Sequence, residues 1–175
     1  FKGAGIGSAG SNDAQVKITG GNITATSDDW GAGIGSGSYG TGTVEITGGE
    51  INATGGYLGA GIGGGCNGSG NVTISGGTVC NVTVGDGAAV TVTGGTEHAG
   101  QWYNDGTLNI TDGTFGNVKF RNNGGTIAIS GGTFSTIRNT DASSAIAPMS
   151  LLAPGHAFYK DDTVQDGSKR DSLQN

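Results

Sequence analysis

The sequence predicts an all-β solenoid, and two sets of repeated motifs predict it. Gly-Ala-Gly-Ile-Gly begins at Gly3, Gly31 and Gly59, a constant step of 28 residues. A second motif, of the type Ile-Thr-Gly-Gly, begins at residues 18, 46 and 74 with the same step, and then recurs at residues 92, 110 and 129 with steps of 18, 18 and 19. Two motifs that share one period indicate stacked repeats. We therefore predict a parallel β-helix of about six coils, three long and three short.

Within each repeat the apolar residues alternate with polar ones, which indicates half-buried strands separated by glycine turns. Like residues recur at equivalent places and form three inward columns: Val16, Val44, Val72, Val90, Leu108 and Ile127; Ile18, Ile46, Ile74, Val92, Ile110 and Ile129; and Ile23, Ile51, Val79, Glu97, Phe115 and Phe134. No segment has a helical period. A β-propeller is the alternative, but its blades need about 40 residues.

Glu97 is the one charged residue in these columns. A buried carboxylate is costly unless it is paired or protonated. We predict a bulge that turns Glu97 outward and lets Ala99 fill the core, because glycines flank this segment. The alternative is a buried acid that stays protonated near His98.

Domain boundaries follow from where the repeat changes. Residues 1–140 are predicted as β-helix, with long coils in 1–87 and short coils in 88–140. Residues 141–160 are apolar without the repeat and are predicted to cap the solenoid end. Residues 161–175 are polar, and we expect a disordered tail.

Composition excludes several function classes. With 8 basic and 14 acidic residues the net charge is −6, which argues against a nucleic-acid partner. No apolar run is long enough to cross a bilayer. Cys66 and Cys80 do not make a disulfide framework; two free thiols are favoured over a bridge.

Residues 44–54 and 59–65 resemble the repeats of large secreted or cell-wall-attached proteins of gut Firmicutes. Residues 151–159 resemble the sequence that closes such arrays. The repeats are also similar to the right-handed β-helix of bacterial carbohydrate-binding domains, within the pectate-lyase-like architecture. The resemblance covers roughly residues 1–160. It implies a single-stranded right-handed parallel β-helix in an extracellular protein, and it supplies no catalytic motif.

The third strand of the short coils carries the candidate binding residues. Outward positions stack in two rows, namely Thr83, Gln101, Lys119 and Arg138, and then Gly85, Tyr103, Arg121 and Thr140. Arginine binds carboxylate or sulfate with a planar donor fork, and tyrosine stacks on sugars or on arginine. Gln101, Tyr103, Lys119, Arg121 and Arg138 are therefore a candidate site for an anionic glycan. A solvated polar face is the favoured alternative. Trp102 is predicted to point inward.

Two further features have competing interpretations. The outward residues of the Gly-Ala-Gly-Ile-Gly strand are glycines, which we call the glycine face; it would accept a glycan ring or a subunit, or more simply the long loops fold over it. Asp86, Asp105 and Asn123 each precede glycine at one turn of successive coils, where Ca²⁺ is an alternative to ordinary tight turns. The turn interpretation is favoured, so no metal and no cofactor is expected.

These observations favour an extracellular structural or adhesive β-helix module that binds polysaccharide or another host or plant glycan. The alternative is a polysaccharide lyase or glycoside hydrolase, but no clustered carboxylates or basic residues line a predicted cleft, so a non-enzymatic role is favoured and no catalytic residue is assigned. The chain opens at Phe1 inside a repeat, which predicts a piece of a longer surface protein with neighbouring domains.

Overall fold

The structure is a computed structural model that describes residues 3–80, 82–84, 87–96, 98–122, 125–139, 159–160, 163–164 and 172–174. In these segments every regular element is a β-strand. Sheet I contains β2 (Ala14–Ile18), β5 (Thr41–Ile46), β8 (Ser69–Ile74), β11 (Ala89–Thr93), β13 (Thr107–Asp112) and β15 (Thr126–Ile129). All its neighbouring strands are parallel.

The two other stacked sheets complete the coils. Sheet II contains β3 (Asn22–Thr26), β6 (Glu50–Thr54), β9 (Thr78–Cys80), β12 (His98–Asn104), β14 (Thr114–Asn122) and β16 (Thr133–Asn139), with the short strand β10 (Thr83–Val84) beside β12. Sheet III contains β1 (Ile6–Gly7), β4 (Ile34–Gly35) and β7 (Ile62–Gly63). Strands that neighbour in space are distant in sequence and parallel, which is the arrangement of a parallel β-helix, as predicted.

Strand register confirms the first two apolar columns. In sheet I each valine of the first column pairs with the next coil's residue as far as Leu108 and Ile127, and the second column runs from Ile18 to Ile129 without a slip. These side chains form the core together with Trp102 and Phe115, both fully buried. The predicted inward orientation of Trp102 is therefore confirmed.

The third column is regular except at one coil. Ile23, Ile51 and Val79 follow one another in register. The next member is His98, which pairs with Phe115 and is fully buried. His98 lies three residues after Gly95, whereas its partner Phe115 lies two residues after Gly113, so one extra residue precedes His98 and the predicted bulge is confirmed. The residue that fills the core was predicted wrongly: it is His98, one position before Ala99, while Glu97 lies outside the described residues.

Outside the core, one ion pair joins successive coils. Lys17 Nζ lies 3.0 Å from Glu45 Oε1, and both side chains are largely exposed. The predicted stacking of these residues is thereby confirmed. An exposed pair of this kind contributes less than about 1 kcal/mol.

The C-terminal region contributes three short strands. β17 (Tyr159–Lys160) pairs with β18 (Thr163–Val164), and β19 (Ser172–Gln174) pairs antiparallel with β16 at the edge of sheet II. Most of the predicted cap at 141–160 and of the predicted tail at 161–175 lies outside the described residues.

Candidate functional site

A groove lies where the long coils give way to the short ones. After β3 and β6 the chain passes through β4 and β7 before it returns to sheet I, but after β9 it reaches sheet I through β10 alone. Sheet III therefore ends at β7. The step leaves a cavity of about 630 Å³ between residues 58–69 and the strands β10 and β12. A smaller cavity of about 260 Å³ adjoins it and shares Gly59, Thr83 and Tyr103.

Three residues on this groove have backbone conformations that side chains rarely adopt. Tyr39, Leu58 and Asn67 line it with φ values of 65°, 57° and 53°. Asparagine tolerates this left-handed region, whereas tyrosine and leucine do so at a cost of order 1–3 kcal/mol. The side chains of Tyr39 and Leu58 are also 59% and 70% exposed. Large apolar side chains that are both strained and exposed indicate a functional surface.

The backbone of the neighbouring coil holds Tyr39 in place. The Tyr39 amide donates to the carbonyl of Cys66 at 3.0 Å, and the Cys66 amide donates to the carbonyl of Trp30 at 2.7 Å. Beside them Thr41 Oγ1 lies 3.3 Å from Ser69 Oγ. The rim of the groove is thus tied to two successive coils, so its shape is fixed before any ligand arrives.

Asp105 supplies an acceptor at the other side of the groove. Its amide donates to the carbonyl of Val84 at 2.9 Å, which places the residue at the end of the β10–β12 pair. The Oδ1 atom of Asp105 is buried and has no hydrogen-bond partner. A buried carboxylate oxygen without a partner is costly, and a donor from a ligand would relieve that cost.

Tyr103 is the predicted site residue that the structure brings to the groove. Its side chain is half-buried, where the sequence predicted an exposed ring, and it lines the groove together with residues of the long coils. Register places Tyr103 beside Arg121, and Gln101 beside Lys119, which in turn pairs with Arg138. The side chains of these other four residues lie outside what the structure describes.

One predicted alignment within these rows is wrong. Thr83 was expected beside Gln101, but it pairs with Tyr103. The displacement is two residues: Ala99 pairs with Cys80, one residue later than a step of 18 allows, and Tyr103 pairs with Thr83, one residue later again. The slip brings Tyr103 next to Thr83 at the groove.

The electrostatics of the groove differ from those predicted for the basic rows. Its described lining contains one carboxylate, Asp105, and no lysine, arginine or histidine. The basic residues belong to the next coils along sheet II. The groove itself therefore suits a neutral ligand rich in hydroxyl groups, and an acidic ligand would have to reach β14 or β16.

A second cluster of exposed side chains adjoins the rim. The rings of Trp30 and Tyr57 meet edge to face with centroids 5.5 Å apart. Tyr57 is exposed and precedes Leu58 in the chain. We call Trp30 and Tyr57 the aromatic ridge.

His98 is buried and structural. The Val79 amide donates to its Nδ1 at 3.2 Å, and its Nε2 lies 3.0 Å from the carbonyl of Gly94. Only the neutral ring protonated at Nε2 satisfies both contacts. Burial lowers the pKa of His98, although its backbone hydrogen bonds oppose that shift. The Trp102 and Phe115 rings pack against it.

The cysteines are unpaired, as favoured from the sequence. Cys66 is buried at the groove, and Cys80 lies half-buried in sheet II. Burial raises the pKa of the Cys80 thiol, the Glu50 carboxylate raises it further, and a backbone contact with Ala99 lowers it.

The glycine face is occupied by the chain itself. Around β4 and β7 the residues are buried, and a β-carbon on Gly33 would lie within 3.0 Å of the Thr54 backbone and the Gly61 carbonyl. These glycines allow successive coils to approach closely, and at Gly33 and Gly35 the covering atoms belong to the backbone of the adjacent coil and not to the long loops that the sequence favoured. Only the first coil leaves part of this strand exposed, at Ile6.

Of the proposed calcium turn, only Asp105 lies in the described residues; Asp86 and Asn123 fall outside them. In the described part of the chain no group of three or more histidine, cysteine, aspartate or glutamate residues could hold a metal ion.

Sequence reasoning missed Tyr39, Leu58 and the aromatic ridge. The available signal was a departure from the repeat: Tyr39 stands where the adjacent coils have Ser11 and Asn67. The adjacent coils have small polar residues at this turn. The bulky Tyr39 therefore has no role in the inward apolar columns.

Comparison with known proteins agrees with the fold. Residues 16–38 and 40–66 match a family model described as a beta helix repeat. No curated protein and no solved structure matches the chain. In the described residues, no helix is of the length and hydropathy that a membrane crossing requires. The chain thus contains beta helix repeats within a parallel β-helix.

Proposed function

We propose that this β-helix is an extracellular module with a structural or adhesive role. It binds glycans in the groove where the long coils give way to the short ones. The observation that carries the proposal is the pairing of exposed Tyr39 with the unpartnered Oδ1 of Asp105 across one groove. Binding pockets combine apolar and aromatic lining with a few polar groups that fix orientation. The secreted or cell-wall-attached location belongs to this proposal and rests on the resemblance of the repeats.

The chemistry of a sugar matches both sides of the groove. Its ring has an apolar face that packs on an aromatic side chain, and Tyr39 and Tyr103 offer such rings. The sugar hydroxyl groups can donate hydrogen bonds to Asp105 Oδ1, which has no partner within the protein. They can also form hydrogen bonds with the hydroxyl groups of Thr41 and Ser69. The strain at Tyr39 is consistent with selection for binding at the expense of stability.

The charge of the ligand is the second part of the proposal. A neutral glycan is favoured in the groove because Asp105 is the charged group of its described lining. An anionic glycan is the alternative, with its acid groups on Lys119, Arg121 and Arg138. The register supports this alternative, since Lys119 and Arg121 lie on β14 beside Gln101 and Tyr103, and Arg138 lies on β16, one strand further.

Affinity electrophoresis tests the proposal. The protein migrates through gels that contain xylan, galactan, mixed-linkage β-glucan, mucin or polygalacturonate, and we expect at least one polysaccharide to retard it. Tyr103→Ala and Asp105→Ala should weaken the retardation about tenfold, whereas Gln15→Ala, on an exposed part of β2, should leave it unchanged.

The same gels distinguish the two classes of ligand. Retardation by xylan, galactan or β-glucan that survives Lys119→Ala and Arg121→Ala supports a neutral ligand. Retardation by polygalacturonate that both substitutions abolish supports an anionic one. If no polysaccharide retards the protein, glycan binding is wrong.

A further inference from the structure

The exposed apolar side chains of the described residues are concentrated on one side of the molecule. Five large ones are exposed: Ile6, Trp30, Tyr39, Tyr57 and Leu58. All but Ile6 belong to the groove rim or to the aromatic ridge. Exposed apolar patches of this kind mark interaction sites.

The aromatic ridge is continuous with the groove. Leu58 lines the groove and follows Tyr57 directly in the chain, while the Trp30 carbonyl accepts from the amide of Cys66, another lining residue. The Trp30 and Tyr57 rings pack edge to face, so the ridge presents an ordered aromatic surface adjoining the groove.

We infer that the aromatic ridge is a second contact point for the same glycan, so that the ligand is a linear polysaccharide and not a single sugar or a chain end. This inference rests on the proposed function. One sugar would lie between Tyr39, Tyr103 and Asp105. The rest of the polysaccharide would then extend past Leu58 onto Trp30 and Tyr57. Side chains at successive positions along one path suit a polymer that repeats an apolar face and a polar edge.

If the groove and the aromatic ridge contact the same polysaccharide, the affinity should depend on the length of the ligand. A disaccharide fills the groove alone, whereas a longer oligosaccharide gains the ridge contact without a second association cost. The loss of one aromatic contact corresponds to about tenfold in affinity. Tyr57→Ala should therefore weaken binding of long oligosaccharides about tenfold and leave disaccharide binding unchanged.

Calorimetry with a length series tests the inference. The probes are xylo-oligosaccharides, galacto-oligosaccharides, mixed-linkage gluco-oligosaccharides and oligogalacturonates from disaccharide upward, each against wild type, Tyr57→Ala and Tyr57→Phe. We expect affinity to rise with length in wild type and in Tyr57→Phe, and to stay flat in Tyr57→Ala. Gln15→Ala serves as the surface control.

The outcomes separate the inference from the function on which it rests. Binding that depends on Tyr103 but not on oligosaccharide length overturns the inference that the ridge contacts the glycan. It leaves the proposal of glycan binding in the groove intact. Binding of no probe of any length, together with no retardation in the gels, overturns both. Sedimentation that shows self-association lost in Tyr57→Ala would assign the ridge to contacts between copies of the chain and also overturn the inference.

Discussion

At the scale of single residues, Tyr39 has a backbone conformation that lowers the stability of the fold, while its side chain remains exposed. It occupies the left-handed region at φ 65°, at the position where the next coil has Asn67 at φ 53°. Asparagine adopts this conformation at little cost, whereas tyrosine does not. The local conformation therefore favours the residue found in the neighbouring coil.

We accordingly expect Tyr39→Asn to raise the free energy of unfolding by about 1 kcal/mol and to weaken glycan binding. Urea denaturation and affinity electrophoresis measure the two effects on the same protein. Tyr39→Phe, which retains both the strain and the ring, is the matched control and should keep the glycan binding that Tyr39→Asn loses. A Tyr39→Asn protein that is less stable than wild type would refute the argument from strain.

His98 is expected to make stability depend on pH. Its pKa is lowered in the folded chain, so the unfolded chain binds more protons below its ordinary value of about 6.5. The stability that this residue contributes is complete above about pH 6.5. It declines as the pH falls toward the folded pKa, by at most about 1.4 kcal/mol per pH unit.

Urea denaturation at a series of pH values checks this expectation. His98→Gln should remove the decline that starts near pH 6.5, and His156→Gln, at the other histidine of the chain, should retain it. Burial of the ring disfavours its charged form, which is why the neutral ring is favoured in the folded chain. If His156→Gln also removes the decline, another group is responsible.

At the scale of elements, sheet III depends on glycine for contact between coils. Gly35 has a φ of 131°, and a β-carbon there would clash with the Gly63 carbonyl oxygen. Neither the torsion nor the space admits a side chain. The repeated glycines of this motif are therefore required by the stacking of coils.

Gly35→Ala should lower the free energy of unfolding by on the order of 3 kcal/mol. Gly20→Ala is a matched control, since a β-carbon there meets no atom within 4 Å and its φ is not in the left-handed range. That change should stay within about 0.5 kcal/mol. Thermal unfolding of both variants compares them. Equal effects would mean that the close approach at Gly35 is relaxed easily.

The sequence period was sufficient to predict the strands, but it was not sufficient to predict the residues of the candidate site. Alternation with period two places Val44 and Ile46 inward whatever the turns do, so the columns could be predicted. One extra residue before β12 moved His98 into the core in place of Glu97, because a bulge changes the phase of the residues beside it, while Trp102 kept its predicted orientation. Tyr39 and Leu58 lie in turns, where the period says nothing about the direction of a side chain.

At the scale of the whole molecule, the coil is the unit of stability. Each coil contacts mainly its neighbours, so stability is approximately a sum over coils and their interfaces. The step of 28 residues keeps Val16, Val44 and Val72 in register. Removal of one full period should therefore leave the remaining columns intact.

A protein that lacks residues 31–58 should fold to a β-sheet structure that unfolds cooperatively with reduced stability. A protein that lacks residues 31–44, half of the period, should not fold, because its turns no longer coincide with those of the next coil. Circular dichroism and urea denaturation distinguish these results. The full-period deletion should also lose glycan binding, since it removes Tyr39, Tyr57 and Leu58.

The central claim is that the change in coil length creates a glycan-binding groove, and amide chemical shifts test it most directly. The polysaccharide that retards the protein supplies oligosaccharides for titration of the ¹⁵N-labelled chain. We predict shifts at Tyr39, Asn67, Tyr103 and Asp105, with sheet I unaffected at Gln15 and Thr43. Shifts confined to sheet I away from Thr41 and Ser69, or an absence of shifts at the groove under saturating ligand, would contradict the account.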